Sequence, residues 1–231
     1  MEFDTHFGKL LDLYLRREPR RSIPVDVRRK ENLYMLGDTD EYVYLLVHGH
    51  VKSVTYTPTG KGCLLDLYSR LDIVGESCLL FPTRRETTTA MSEVQARKIP
   101  RKWFLELLSA EGLFESYLCY LAERIAEHQE QITRLVTYDS EHRLAATLLR
   151  LARRSGAVST EWVYLDQRIT REELAAMVGT TRSRIGHFLK LLRQRQLVEE
   201  SGSGLLRVRP DELSEFFGFA GERTDRVLRA G

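Results

Sequence analysis

The stretch Ile169–Val198, ITREELAAMVGTTRSRIGHFLKLLRQRQLV, constrains the fold of this chain more than any other segment. Thr170 followed by Glu173 is a capping box, in which a hydroxyl and a carboxylate satisfy orphan backbone donors at a helix start. The first helix runs to about Val178, with Leu174 and Met177–Val178 as its inward face, and Gly179 supplies the left-handed turn that ends it. Thr180 or Thr181 caps a second helix whose apolar residues Ile185, Phe188, Leu189 and Leu192 share one face. Opposite that face lie Ser183, His187, Lys190 and Gln194, with Arg182 and Arg184 flanking them on the first exposed turn. From Arg182 to Arg195 there is no acidic residue. A helix lying in a DNA major groove requires an apolar back and donors at its N-terminal end. An ordinary helix pair with a solvated basic face shares the period. The cap, the short glycine turn and the acid-free second helix together favour DNA.

Leu197-Val198 and Leu205–Val208 read as two short strands around a Gly-Ser-Gly turn, a hairpin placed as a wing beside the second helix. Arg207 and Arg209 on it are candidates for phosphate contact or for plain hairpin packing.

Upstream, the hydrophobic period is different. From about Ser22 to Ile99 short strands alternate with turn signals: Tyr42–Val47 is a buried run, Val51, Ser53 and Thr55 alternate, and Thr57–Gly62 is a hairpin turn. Leu64–Tyr68, Thr87–Ala90 and Val94–Ile99 continue the pattern, which suggests a small barrel or roll. After Pro100 a short helix spans Arg101–Leu108, and a long one runs from near Ala110 to about Tyr138. In it Phe114, Leu118, Leu121, Ile125, His128, Ile132 and Leu135 recur at alternating spacings of four and three, a heptad seam flanked by charge. Such a seam pairs with a copy of itself, so these residues are the expected dimer interface. Asp139 or Ser140 caps a further helix bearing Leu144, Leu148, Leu149 and Leu151, and the domain boundary is expected there. The division is 1–109 for the strand roll, 110–138 for the dimerisation helix and 139–231 for the part that carries the helix-turn-helix.

The chain has 231 residues, enough for roughly two domains. Its net charge is only +2, so any nucleic-acid role depends on local patches. No apolar run approaches the roughly 18 residues of a membrane span, and the N-terminus lacks the apolar core of a signal peptide. Cys63, Cys78 and Cys119 are widely spaced and match neither a disulfide framework nor a metal knuckle. A cytoplasmic protein with reduced thiols is expected.

Strand roll, long helix and winged helix-turn-helix together resemble the cyclic-AMP receptor protein/fumarate-nitrate regulator (CRP/FNR) superfamily of bacterial transcription factors, over about residues 22–209. The most specific stretches are Asp72-Ile73-Val74-Gly75-Glu76 and Thr170–Leu191, with Asp139–Ala152 similar to the family's hinge and first DNA-domain helix. The resemblance implies an α+β fold: an N-terminal cyclic-nucleotide-binding-like β-roll (jelly roll), a long dimerisation helix and a C-terminal winged helix-turn-helix. It places Gly75 and Glu76 where relatives hold ribose and phosphate, Arg84 at the phosphate-binding arginine, and Arg182, Ser183 and His187 at base-reading positions. The remaining DNA candidates are Thr170, Thr181, Arg184, Lys190 and Arg207. Where cyclic-AMP binders carry hydroxyl residues this chain has Arg85, and His128 with Gln129 on the long helix. These six (Gly75, Glu76, Arg84, Arg85, His128 and Gln129) are the effector candidates, and the effector is expected not to be cyclic AMP. Implied partners are double-stranded DNA with a palindromic operator, a second copy of the chain, and RNA polymerase.

No cofactor is expected. An iron–sulfur cluster needs four thiolates and the chain has three cysteines. Haem would need His48, His50 or His128 as axial ligand. His48-Gly49-His50 is expected to place both rings on one side of an extended strand, but two ligands without a third make a weak metal site. The competing function is a cyclic-nucleotide-binding regulatory subunit acting on a protein partner, which would not need the basic helix. No P-loop, nucleophile elbow or zinc-protease motif marks an enzyme.

Overall fold

Of the chain, a computed structural model describes residues 4–57, 60, 62–155, 161–202 and 204–219. Two compact units, Met1–Gln129 and Glu130–Gly231, divide inside the long helix.

The first unit opens with α1 (Asp4–Arg17) and continues through β1 (Ile23–Val27), β2 (Asn32–Tyr34), β3 (Tyr42–His48), β4 (Val51–Tyr56), β5 (Gly62–Tyr68), β6 (Ile73–Val74), β7 (Thr87–Ala90) and β8 (Val94–Pro100). These strands form two antiparallel four-stranded sheets, β1-β8-β3-β6 and β2-β7-β4-β5, which is the expected roll. β3 reads as an unbroken apolar run because both its faces are covered. Tyr44 and Leu46 join Val51, Val74 and Ala90 in one apolar cluster, while Val43 and Leu45 meet the helices in another. Alternate side chains of a strand point to opposite faces, so the helix-covered face and the opposite face separate along one strand. Of the Thr57–Gly62 turn, residues 58, 59 and 61 lie outside the described residues; β4 and β5 close on it through the pair Tyr56 and Gly62.

α1 is a full part of this core: Phe7, Leu11 and Leu15, four residues apart, are buried against α2 (Arg101–Ala110), α3 (Phe114–Thr137) and the outer face of β3. Full burial of such side chains contributes roughly 1.5–3 kcal/mol each. The long helix does not begin near Ala110 as expected. α2 extends to Ala110, a turn with Gly112 at φ +65 follows, and α3 starts at Phe114. One face of α3, Tyr117, Tyr120 and Arg124, is buried on the roll. Leu118, Ile125, Ile132 and Leu135 are left between 49% and 61% exposed along the seam.

In the second unit Asp139 caps α4 (Ser140–Arg154), its carboxylate accepting from the N–H groups of Glu141 and His142. Leu144, Leu148, Leu149 and Leu151 are buried as the period required. β9 (Val163–Tyr164), α5 (Arg171–Val178), α6 (Arg182–Gln194), β10 (Val198–Glu200), β11 (Leu206–Val208) and α7 (Pro210–Phe216) complete it, with a three-stranded sheet in the order β10-β11-β9. The wing hairpin is present; β9 and α7 were not anticipated, being too short to show a period.

Candidate functional site

The helix-turn-helix forms from its caps inward. Thr170 N–H donates to Glu173 Oε2 at 2.9 Å and Thr170 Oγ1 accepts from Glu173 N–H at 3.2 Å, so the capping box is complete. That hydroxyl is therefore committed to the helix start. Gly179 ends α5 at φ +68, a conformation that costs other residues roughly 1–2 kcal/mol. Thr181, not Thr180, caps α6, accepting from Arg184 N–H at 3.3 Å. Ile185, Leu189 and Leu192 are buried, and Phe188 is half-buried. On α5, Ala175 is buried where Met177 is only half-buried, because the small side chain admits closer approach.

The opposite side of α6 presents Arg182, Ser183, Arg184, His187 and Lys190, all exposed. Arg182 Nη1 lies 2.8 Å from Glu172 Oε1 of α5, an acid outside the acid-free stretch of α6. Both side chains are more than half exposed, and an exposed pair of this kind is worth about 0–1 kcal/mol, so a phosphate can displace it. On the wing, Arg207 is held by Glu199, with Nε at 3.0 Å, and lies 4.6 Å from the Trp162 ring. Glu199 keeps the guanidinium's pKa above its ordinary value. Arg209 pairs with Glu212 at 2.9 Å and also lies on Trp162. Both wing arginines are thus built into the fold of the hairpin as well as facing solvent in part.

In the roll, Gly75 takes φ +84 at the start of a one-turn 3-10 helix, Glu76–Leu79. A Cβ there would come within 2.7 Å of Arg84 Nη1. Arg84 is turned into the wall: Nη1 donates to the Gly75 carbonyl at 2.5 Å, and Nη2 donates to Asp40 Oδ1 at 3.1 Å and to the Tyr42 carbonyl. Its side chain has no exposed surface, and the Tyr34 ring lies 4.1 Å from the guanidinium carbon. Arg85 is exposed and stacks on Phe81 at 4.4 Å. Glu86 accepts from the Tyr34 hydroxyl at 3.0 Å and from Ser77 Oγ at 3.5 Å. Burial raises the Glu76 carboxyl above its ordinary range; its own backbone and Arg124 oppose the rise, and Glu86 adds to it.

From α3, Arg124 reaches Asp66 of β5 at 2.5 Å and Glu127 at 3.2 Å, with the Tyr68 ring 5.0 Å away. Burial works against the Arg124 charge, but Asp66 more than restores it. His128 is half-buried and Gln129 exposed on the following turn, while Leu121 leans from the seam onto the roll core. From the sequence Asp66 carries no signal, Glu86 reads only as the residue after Arg85, and Arg124 reads only as a charge flanking the seam. The available signal was Arg124 following Tyr117 and Tyr120 on one stripe of the helix.

His48-Gly49-His50 is not an extended segment. Gly49 stands at φ +86 between β3 and β4, packed on the Glu93 carbonyl, so the two rings leave a reversed chain. Among the described residues no group of three or more His, Cys, Asp or Glu side chains is placed to hold a metal. Cys78 is buried, and Cys63 and Cys119 are exposed free thiols. No described helix is long and apolar enough to cross a membrane.

Comparison with known families matches residues 24–111 to the cyclic nucleotide-binding domain and residues 142–216 to the Crp-like helix-turn-helix domain. A CRP-like cAMP-activated global transcriptional regulator of Mycobacterium tuberculosis is 27% identical over 188 residues, covering 79% of this chain and 83% of the relative. The cAMP-activated global transcriptional regulator CRP of Pasteurella multocida is 29% identical over 180 residues, covering 77% and 86%. A solved structure of a CRP/FNR-family transcriptional regulator from Thermus thermophilus superposes with a TM-score of 0.68 at 24% identity, covering 85% of this chain and 98% of that one.

Proposed function

Because the chain belongs to the CRP/FNR family of DNA-binding transcription regulators, we propose that it works as a cytoplasmic homodimer that reads a palindromic operator under the control of an effector other than cyclic AMP. The exposed α3 seam supports the dimer: Leu118, Ile125, Ile132 and Leu135 are exposed apolar residues at coiled-coil spacing. Two-fold pairing of that stripe brings His128 near its copy and sets two α6 helices for half-sites about one helical turn apart. Arg182, Ser183, Arg184, His187 and Lys190 then read bases and phosphates, with RNA polymerase as the further partner.

The relatives described above are named for activation by cyclic AMP. The reading of the effector rests on Arg84, whose Nη1 and Nη2 already donate to Gly75, Asp40 and Tyr42, and on the neighbouring carboxylates Glu76 and Glu86. An anionic phosphate there has to compete with Asp40 for the guanidinium, of which only Nε is left as a buried unpaired donor, and meets the two carboxylates. A regulatory subunit acting on a protein partner is not favoured, since it has no use for the Crp-like helix-turn-helix. Selection of operators from a random DNA library, with and without cyclic AMP, tests the reading: a palindrome is expected at equal affinity in both. Binding only with cyclic AMP, or only to single half-sites, overturns it.

A further inference from the structure

Arg143, on the first turn of α4, stands where two helix C-termini meet. Its Nε donates to the Val178 carbonyl at 2.8 Å, at the end of α5. Its Nη1 donates to the Tyr138 carbonyl at 2.8 Å and to Leu135 at 3.4 Å, at the end of α3. The last carbonyls of a helix have no intrahelical partner and carry the negative end of its dipole, so each terminus attracts a cation. Here one planar guanidinium serves both. A lysine ammonium is a compact point charge and does not reproduce that fork.

The same turn is packed on its other side by aromatic rings. Tyr138 lies 5.6 Å from Phe219 and 5.9 Å from His142, and His142 lies 5.1 Å from Phe217. The residues after α7 thus brace the α3–α4 junction, while Leu135 approaches the Cβ position of Gly179 to 3.6 Å.

We propose that Arg143 is the positioning residue for DNA recognition: by tying the end of the pairing helix to the end of α5, it fixes the reading head against α3 and so sets the half-site spacing that the dimer accepts. The inference rests on the dimeric operator-binding reading above and deepens it. It concerns geometry between half-sites, not the bases within them. Moving one half-site by a base pair shifts it about 3.4 Å and turns it about 35° about the duplex axis. A rigid junction rejects that change and a loosened one follows it.

The test uses the full-length protein and a panel of the selected palindrome with the spacer changed by one and two base pairs either way. The parent should prefer its own spacing tenfold or more. Arg143→Leu should shrink that preference to threefold or less while keeping the parent's order of preference among half-site base changes. Arg143→Lys should fall between. A spacing preference unchanged in Arg143→Leu overturns the proposal, as does a loss of base preference in step with it, which would mark general damage to the unit. If Arg143→Leu fails to fold, Arg143→Lys and Arg143→Gln carry the same comparison, and parent-like profiles in both overturn it. A parent that binds single half-sites as a monomer fails the dimer reading itself, and the inference with it.

Discussion

Arg124 and Asp66 form an ion pair 2.5 Å long with side chains only 7% and 1% exposed, fastening the first half of α3 to strand β5. Removing one partner of a buried pair leaves an uncompensated charge and costs about 3–5 kcal/mol. Arg124→Leu should lose stability on that scale in urea titration, and Asp66→Leu likewise. The double replacement should recover most of the loss, because two apolar groups leave no orphan charge. A double mutant as unstable as the sum of the singles would show that the two charges are not coupled to each other.

On α6, Arg184 is exposed, whereas Arg182 is held by Glu172. Arg184→Ala should lose roughly 1–3 kcal/mol of operator binding and relax preference at one position if it reads a base. Arg182→Ala should lose less, since it must first leave Glu172. Glu172→Gln should tighten binding, most at low salt, where the freed charge acts on phosphates with least screening. Gel-shift titrations across salt concentrations separate these effects.

The seam supplies a direct test of assembly. Ile125→Asp or Ile132→Asp places an unpaired carboxylate in the pairing face, at a cost of several kcal/mol, and about 1.4 kcal/mol is tenfold in affinity. Either variant should sediment as a monomer and lose operator binding while keeping the parent's circular dichroism. His128→Leu, at the half-buried seam position, should tighten the dimer. Parent-like dimer dissociation in His128→Leu would assign that histidine a packing role alone.

Glu76 provides a pH signature. Burial raises its folded-state pKa above the unfolded value of about 4.3, so the folded protein binds more protons in that interval. The stability contribution is fully present below the unfolded pKa and is lost as pH rises through the folded one. Glu76→Gln should therefore gain stability over the parent at neutral pH and lose that advantage near pH 4. Thermal melts of the two proteins across that range check it. A difference that grows towards acid would reverse the sign of the argument.

Local chemistry made much of this protein legible before any coordinates. The capping box at Thr170 and Glu173, the turn at Gly179 and the alternation of β-strands depend on residues a few positions apart, and those spacings survive in the chain itself. The exposed seam of α3 was readable for the same reason: a helix repeats within its own sequence. Side-chain partnership across the fold was not. The resemblance places Arg84 at a phosphate-binding position, yet Asp40 and Tyr42, over forty residues away, accept from its Nη2. Arg182 belongs to an acid-free helix, yet Glu172 of the preceding helix reaches it. Arg143 looks like one more surface cation until the ends of α3 and α5 converge on it. Periodicity records which face of an element is buried. Where a charged group finds its partner is settled only when distant segments pack, because a guanidinium takes whichever carbonyls and carboxylates the tertiary fold delivers to it.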